Sequence, residues 1–229
     1  MKLNIFSLVL SYAILPSLYY RDFSNKIIKK VPSNGNKSIA LTFDDGPDPQ
    51  YTPKLLDILK INNLKCTFFV LAENAQKYPD IIKRIKNEGH CIGLHSLKHG
   101  NPIFSLPYQT KKSFVTALNI MDNLGVNIKF FRPPWGIFNP LTYHYAKSNN
   151  LKIILWSMHA RDWSKWATED YIKQKIINDI KPGDIILLHD GSRGMNNFPE
   201  NTIKALKTIL PILKKRGFQF IVANDLFEF

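Results

Sequence analysis

Two histidines and two aspartates in this sequence have the types and spacing of a metal-binding site. His95 and His99 are four residues apart, so one helical turn would place both imidazoles on the same face. With one carboxylate, for which Asp45 is our candidate, they would leave coordination positions open for water or substrate. Asp44 precedes Asp45 directly, and adjacent residues of a regular strand point to opposite sides. Without local distortion, one aspartate can therefore bind a metal while the other faces a substrate.

Short runs rich in β-branched and aromatic residues alternate with stretches of helical periodicity along the chain. The predicted strands are residues 39–43, 66–71, 91–94, 128–131, 151–156, 184–188 and 219–222. The predicted helices are residues 53–61, 79–88, 109–124, 140–149, 168–180 and 202–216. This alternation predicts an α/β fold with a parallel sheet, either an open doubly wound sheet or a barrel with fewer than the usual eight units.

Ionisable side chains follow five of the predicted strands, at the ends where both architectures gather their functional groups. These residues are Asp44 and Asp45, His95 and His99, Arg132, Asp162, and His189 and Asp190. Each short motif alone is common in turns and on surfaces. Their occurrence at successive strand ends predicts a single active site.

The composition predicts one domain with a basic surface. At 229 residues, of which 45% are hydrophobic, the chain can bury one core and is too short for two ordinary domains. Lys and Arg outnumber Asp and Glu by 31 to 18, and the net charge of +13 favours anionic polymers as neighbours. The basic residues form no dense tract or nucleic-acid motif, so we expect no nucleic-acid partner, and we expect a monomer. Cys66 and Cys91 each open a short apolar run, which predicts buried free thiols.

The first 20 residues differ from the rest, since residues 3–20 carry no charge and are rich in Leu, Ile, Phe and Tyr. This pattern predicts a signal or membrane-anchor segment, and an exported protein, anchored or secreted, in the cell envelope. No small-residue cleavage site lies near Tyr20, which favours an anchor slightly, whereas Pro16 weakens a spanning helix. A packed element of a cytoplasmic protein is the alternative. Residues 21–37 then predict a basic polar linker before a domain at 38–229.

Four segments of the chain match the motifs of a known family. They are residues 42–47 (TFDDGP), 95–99 (HSLKH, for HSxxH), 132–135 (RPPW, for RxPY/W) and 187–189 (LLH, for LxH). Through these motifs the sequence resembles the polysaccharide deacetylases of the NodB-homology type, also called carbohydrate esterase family 4, over about residues 38–222. The resemblance implies a distorted (β/α) barrel of about seven parallel strands, in agreement with the strand count.

The resemblance also implies roles for the matching residues on the side of the attacking water. Asp45, His95 and His99 would bind a divalent metal ion, zinc in the first place and cobalt or nickel as alternatives. Asp44 would be the catalytic base, and Arg132 would orient it.

A second group of residues is implied to act on the leaving group and the sugar. His189 would be the catalytic acid, and Pro133, Trp135, Trp163 and Leu187 would contact the substrate.

The fourth motif departs from the family's DxxDW form, because residues 159–163 read HARDW. His159 stands where the family has an aspartate that supports the catalytic histidine. We expect either that Asp162 or another carboxylate supports His189, or that His189 titrates differently, which would change the pH profile.

The activity implied is metal-dependent removal of N-acetyl groups from polysaccharide that contains N-acetylglucosamine. Peptidoglycan, chitin-type oligomers and poly-N-acetylglucosamine are all open as substrates. One alternative is an O-acetyl esterase acting on acetylxylan, and another is a catalytically silent wall protein that holds glycan through Trp135 and Trp163. Two histidines and a carboxylate also occur in non-haem iron oxygenases, but these need no second aspartate.

Overall fold

The structure, a computed structural model, describes residues 10–32, 35–192 and 198–227. Nine strands form one sheet in this part of the chain. The strands are β1 (Ile27–Ile28), β2 (Ser38–Asp44), β3 (Thr67–Val70), β4 (Cys91–Leu94), β5 (Phe130–Phe131), β6 (Lys152–Ile154), β7 (Met158–His159), β8 (Ile185–His189) and β9 (Gln219–Ile221). The helices are α1 (Leu15–Leu18), α2 (Thr52–Ile61), α3 (Ala72–Lys77), α4 (Pro79–Asn87), α5 (Pro107–Asn123), α6 (Pro140–Ser148), α7 (Glu169–Asp179) and α8 (Phe198–Lys215).

The sheet is parallel between all its paired strands. Its order is β1-β6-β5-β4-β3-β2-β8-β7, and β9 lies beside the first half of β2. Only three residues separate β6 from β7, although the two strands lie towards opposite ends of this order. The sheet must therefore curl until its ends approach each other. The predicted α/β fold, a distorted (β/α) barrel, is confirmed.

Alternate residues of the strands pack on opposite faces of the sheet. Phe43 and Phe68 belong to the larger apolar cluster, which includes residues of the surrounding helices. Ala40 and Phe69 belong to a second cluster on the other face. Because both faces are covered, all seven residues of β2 are buried, as is typical of parallel sheets. Asp44 has the same parity as Ala40, so the pleat directs its side chain to the inner face.

The sequence predicts seven of the nine strands and six of the eight α-helices described here, and α1 lies in the segment predicted as a signal or membrane anchor. The two strands that it misses, β1 and β7, have two residues each, which is too short for a periodic pattern. The missed helix α3 has six residues, of which only two alanines are buried, so its apolar face is hard to recognise.

Residues 21–37, predicted as a basic polar linker, contribute β1 to the sheet. Ile27 and Ile28 pair with β6, and Ile27 and Val31 are buried. Lysines surround this apolar pattern, and two adjacent isoleucines give no periodicity, so the sequence does not reveal it. The stretch is therefore not a free linker at this point, while the division of the chain at residue 37 stays a prediction.

The described part of the predicted signal or anchor segment is helical and packs on the domain. The Ser17 hydroxyl donates to the carbonyl of Phe138 (2.9 Å) and accepts from its N–H (2.8 Å). The ring of Tyr20 stacks on Tyr143 at 4.1 Å between centroids. Residues 1–9 lie outside the described residues. Among those described, no helix has the length and apolar character that a membrane span needs.

Candidate active site

Asp44 and Asp45 both direct their carboxylates towards His95 at the end of β2. The Oδ2 atom of Asp44 lies 3.7 Å from Nε2 of His95, and Oδ1 of Asp45 lies 3.6 Å from the same nitrogen. The opposite orientation expected for a regular strand is not found, because Asp45 has a left-handed φ of 76°. The strand therefore ends in a distortion that lets two adjacent carboxylates serve one site.

His95 and His99 approach each other from a loop that follows β4. Their ring centroids are 5.1 Å apart, and Nε2 of His99 lies 3.3 Å from Oδ1 of Asp45. The segment between them is not a helical turn, since Ser96 and His99 have φ values of 108° and 57°. The Ser96 hydroxyl accepts a hydrogen bond from the N–H of His99 (3.0 Å), which holds the loop. The two imidazoles are thus close together, as predicted, but a loop with left-handed residues positions them in place of a helical turn.

The donor set of these residues fits a divalent cation. One ligand atom each from Asp45, His95 and His99 can be chosen so that all lie within 4.8 Å of one another. Nδ1 of His95 is 2.8 Å from the carbonyl oxygen of Arg132, and this contact turns Nε2 towards Asp45. Two imidazoles and one carboxylate suit zinc, cobalt or nickel and leave coordination positions open.

Arg132 is fully buried and holds Asp44 in place. Its Nη1 donates to Oδ1 of Asp44 (2.7 Å) and to the hydroxyl of Thr42 (2.8 Å). Its Nε and Nη2 donate to the carbonyl oxygens of Ile154 (3.1 Å) and Leu155 (3.0 Å). A buried cation is tolerated here because hydrogen-bond acceptors surround it and a carboxylate opposes its charge.

Burial shifts the pKa values of both Asp44 and Arg132. Burial raises the pKa of the Asp44 carboxyl above its usual value, although the charges of Arg132 and His189 oppose the change. Burial also lowers the pKa of the Arg132 guanidinium, which Asp44 partly restores. Asp44 is therefore a stronger proton acceptor than an aspartate in water.

Asp162 is buried and supports the imidazole of His189. Its Oδ1 lies 3.0 Å from Nδ1 of His189, and its Oδ2 accepts from the backbone N–H of His189 (2.8 Å). The hydroxyl of Thr202 also donates to Oδ2 (3.0 Å). His159 instead packs its ring against Trp163, with centroids 5.4 Å apart. Of the two outcomes left open by the sequence, the geometry is that in which Asp162 provides the support.

The carboxylates around His189 set its protonation. Burial lowers the pKa of the imidazole, but Asp162, followed by Asp45 and Asp44, outweighs that effect and raises it to about 9. Nε2 of His189 lies 4.0 Å from Oδ2 of Asp45, so it faces the metal ligands. In the metal-free protein, His189 therefore carries its proton at neutral pH and can act as an acid.

A cleft of about 490 Å³ is lined by Asp44, His95, His99 and His189. Trp135 and Trp163 stand at its walls with 43% and 38% of their surfaces exposed, and Leu187 also lines it. Pro133, expected to contact the substrate, is buried and does not line the cleft; its carbonyl accepts from the N–H of Gly136 (3.0 Å). Three of the four predicted substrate-contacting residues thus reach the cleft.

Several residues of the site were not predicted as functional. Thr42 accepts from Arg132 and donates to the carbonyl of Ile186 (2.6 Å), and its place in the TFDDGP motif is a usable signal. Arg161 lines the cleft and lies within the fourth motif, whereas Arg21 and Trp156 line it without any signal in their local sequence. They reach the cleft only through tertiary packing.

Comparisons with known proteins give matches to a family model and to individual proteins. The family model described as polysaccharide deacetylase matches residues 32–154. A peptidoglycan-N-acetylglucosamine deacetylase of Bacillus cereus is 39% identical over 191 residues, covering 83% of this chain and 68% of that protein. A chitooligosaccharide deacetylase of Sinorhizobium fredii is 31% identical over 201 residues, covering 83% of this chain and 93% of that protein.

A solved structure extends the comparison to three dimensions. It is a peptidoglycan N-acetylglucosamine deacetylase in complex with 4-naphthalen-1-yl-N-oxidanyl-benzamide, with a TM-score of 0.83 and 35% identity. The alignment covers 92% of this chain and 96% of the other. With the family match, these likenesses show that the chain belongs to the polysaccharide deacetylase family of hydrolases.

Proposed function

We propose that this chain removes N-acetyl groups from polysaccharide containing N-acetylglucosamine, in a metal-dependent hydrolysis. The observation that supports it best is the meeting of three groups at one cleft: a metal-ligand set, a carboxylate held by an arginine, and an imidazole held by a carboxylate. Hydrolysis of an acetamide needs water activation and protonation of the departing amine. The names of the relatives, a peptidoglycan-N-acetylglucosamine deacetylase and a chitooligosaccharide deacetylase, support the same substrate class.

Asp45, His95 and His99 would hold the metal ion, for which zinc is our first choice and cobalt or nickel are alternatives. When bound, a divalent cation lowers the pKa of water to about 7 and polarises a carbonyl oxygen. The contact between His95 and the carbonyl of Arg132 keeps one imidazole turned towards the ligand set before any metal arrives.

Asp44 is the proposed base. Arg132 binds its Oδ1, and its Oδ2 stays directed towards the metal ligands. As the water oxygen bonds to the acetyl carbon, Asp44 takes the proton that the water loses. Negative charge then develops on the acetyl oxygen, and the backbone N–H of Trp135, in a left-handed turn with φ 55°, is our candidate donor to it.

His189 is the proposed acid. It donates the proton on Nε2 to the amine nitrogen as the carbon–nitrogen bond breaks, which releases acetate and leaves a free amino sugar. Asp162 fixes the ring through Nδ1 and stabilises its positive charge. An amine anion is a poor leaving group, and a positioned acid of this kind contributes about 10²- to 10⁴-fold to the rate.

We also propose that the protein is exported and acts in the cell envelope, either anchored or secreted. The uncharged residues 3–20 support export, and the net charge of +13 suits an acidic wall. The proposed partner is therefore acetylated amino-sugar polysaccharide of the wall.

The test is acetate release by the full chain, loaded in turn with zinc, cobalt and nickel. The substrates are N-acetylglucosamine oligomers, peptidoglycan and acetylxylan. We expect release from the N-acetylated substrates and its loss on chelation. Release from acetylxylan alone would make the chain an esterase, and silence on all three with metal bound would favour a glycan-binding protein. Asp80→Asn, at an exposed aspartate of α4, is the control.

A further inference from the structure

Two arginines on the rim of the cleft take no part in the chemistry proposed above. Arg21 and Arg161 both line the cleft, and both are exposed. Asp44 is the one carboxylate among the described residues that line it, and Arg132 already binds that group. Within the described parts of the chain, no ion pair joins Arg21 or Arg161 to an acid. Their charges therefore face the space that a substrate enters.

Both arginines lie close to the reacting groups. The guanidinium of Arg21 is 5.9 Å from the centre of the Trp156 ring, and the guanidinium of Arg132 is 5.7 Å from the same ring. Arg21 and the arginine that holds Asp44 thus lie near the same aromatic side chain. Arg161 directly precedes Asp162, which supports His189. A group bound by this pair would belong to the reacting sugar or its immediate neighbour.

Packing fixes Arg21 at the rim although it comes from the N-terminal segment. Ser17 exchanges two hydrogen bonds with the backbone of Phe138, and Tyr20, the residue before Arg21, stacks on Tyr143. This anchoring lowers the entropy cost of binding a ligand with Arg21.

His159 lies near both arginines and lines the same cleft. Burial lowers the pKa of its imidazole, and the charges of Arg161, Lys175 and Arg21 lower it further. His159 is therefore neutral at physiological pH. A neutral imidazole at this position leaves the positive charge of the two arginines unopposed.

We propose that Arg21 and Arg161 bind a carboxylate carried by the glycan beside the N-acetyl group that is removed. The inference rests on the proposed function, and it narrows the substrate to an anionic glycan. Peptidoglycan carries carboxylates next to its N-acetylglucosamine, as lactyl groups or on its stem peptides, whereas chitin carries none. Arginine suits such a group because its donors match a carboxylate in pairs.

The test compares the metal-loaded wild type with Arg21→Gln/Arg161→Gln. Four substrates are used: neutral N-acetylglucosamine oligomers, glycan strands with free lactyl carboxylates, strands with stem peptides, and strands with methyl-esterified carboxylates. Since exposed ion pairs contribute up to about 1 kcal/mol each, the double variant should lose about 3- to 30-fold in kcat/KM on carboxylate strands. Activity on neutral oligomers and esterified strands should not change. The two carboxylate-bearing substrates show which group the arginines bind.

Two further measurements make the result decisive. Arg216→Gln, whose side chain donates to the carbonyl of Ile177, is the control for loss of one charge. Binding of the same strands, followed by tryptophan fluorescence of the cleft, tests the rim even if no acetate is released. Silence on every substrate with normal, charge-dependent binding would refute the proposed function alone. Equal losses on neutral and charged strands, or no loss on either, would overturn the role of the arginines.

Discussion

Replacement of Arg132 by methionine tests how the site keeps Asp44 charged. The guanidinium makes four hydrogen bonds inside the barrel, of which one goes to Asp44. Methionine has a similar length and no charge, so Asp44 would lose the cation that opposes the effect of burial on its pKa. The variant leaves a buried carboxylate without its partner.

The expected magnitude follows from that loss. Removal of one member of a buried ion pair costs about 3–5 kcal/mol when the remaining group stays charged. At 1.36 kcal/mol per pH unit, the equivalent is a rise of about 2 to 4 units in the pKa of Asp44. The acid limb of the activity profile, where the base must be ionised, should therefore move to higher pH by about this amount.

The same change predicts how stability depends on pH. A carboxyl whose pKa is higher in the folded than in the unfolded protein loses stability as pH rises from the unfolded value, about 4, through the folded one. Burial already raises the pKa of Asp44 in the folded wild type. Arg132→Met raises it further, so the loss of stability continues to higher pH. The difference in unfolding free energy between wild type and variant should thus widen as pH rises from the folded pKa of Asp44 in the wild type to its folded pKa in the variant.

Urea unfolding of the metal-free proteins between pH 4 and pH 8 measures this difference. Asp44→Asn and the double variant complete a cycle in which the carboxylate is absent. With Asn at position 44, Arg132→Met should lower the unfolding free energy less at neutral pH. The difference in unfolding free energy that this substitution causes should then no longer depend on pH. A constant difference at all pH values, with no coupling in the cycle, would refute the view that Arg132 stabilises the charge of Asp44.

Three other substitutions probe the remaining supports of the site. Asp162→Asn should shift the alkaline limb of kcat/KM to lower pH: burial lowers the pKa of His189, and Asp162 is the largest influence that raises it to about 9. Acetate release across pH measures this, and an unmoved limb would mean that another group protonates the amine. Thr202→Val removes one hydrogen-bond donor from Asp162 and should lower the unfolding free energy by about 1 kcal/mol. It should shift the alkaline limb of kcat/KM less than Asp162→Asn does. A larger shift would contradict the role of Asp162 as the support of His189. Gly191→Ala would place a Cβ 2.4 Å from the carbonyl oxygen of Asp45, so it should cost about 1–3 kcal/mol and weaken metal retention. Gly100→Ala, whose Cβ meets nothing within 4 Å, is its control, and equal metal retention in the two would count against the strained turn at Asp45.

The longer strands of this fold can be predicted from the sequence because burial on two faces makes their apolar runs continuous. The strand at Ser38–Asp44 shows this best, since all its residues are buried. Ile27–Ile28 and Met158–His159 escape prediction because pairing with distant strands, and not local pattern, makes them strands. Ile27 pairs with Ile153 and Met158 pairs with Ile186, and local periodicity cannot report pairing with a strand elsewhere in the chain.

Part of the site is likewise predictable from the sequence, and part of it depends on the tertiary structure. The order of the motifs predicts which side chains meet, and Asp45, His95 and His99 do come together. The left-handed turn at Asp45 is not predictable from residue type alone, so the shared orientation of the two aspartates is a structural finding. The rim residue Arg21 depends on how the N-terminal segment packs, and no motif encodes it.

The most direct test of the central claim is a joint measurement of metal content and acetate release for Asp44→Asn. The substitution preserves shape and leaves Asp45, His95 and His99 untouched, so the variant should retain as much metal as the wild type. Its rate of acetate release from N-acetylglucosamine oligomers should fall by about 10²- to 10⁴-fold, the usual contribution of a positioned base. A variant that holds its metal and releases acetate at the wild-type rate would contradict the proposed mechanism.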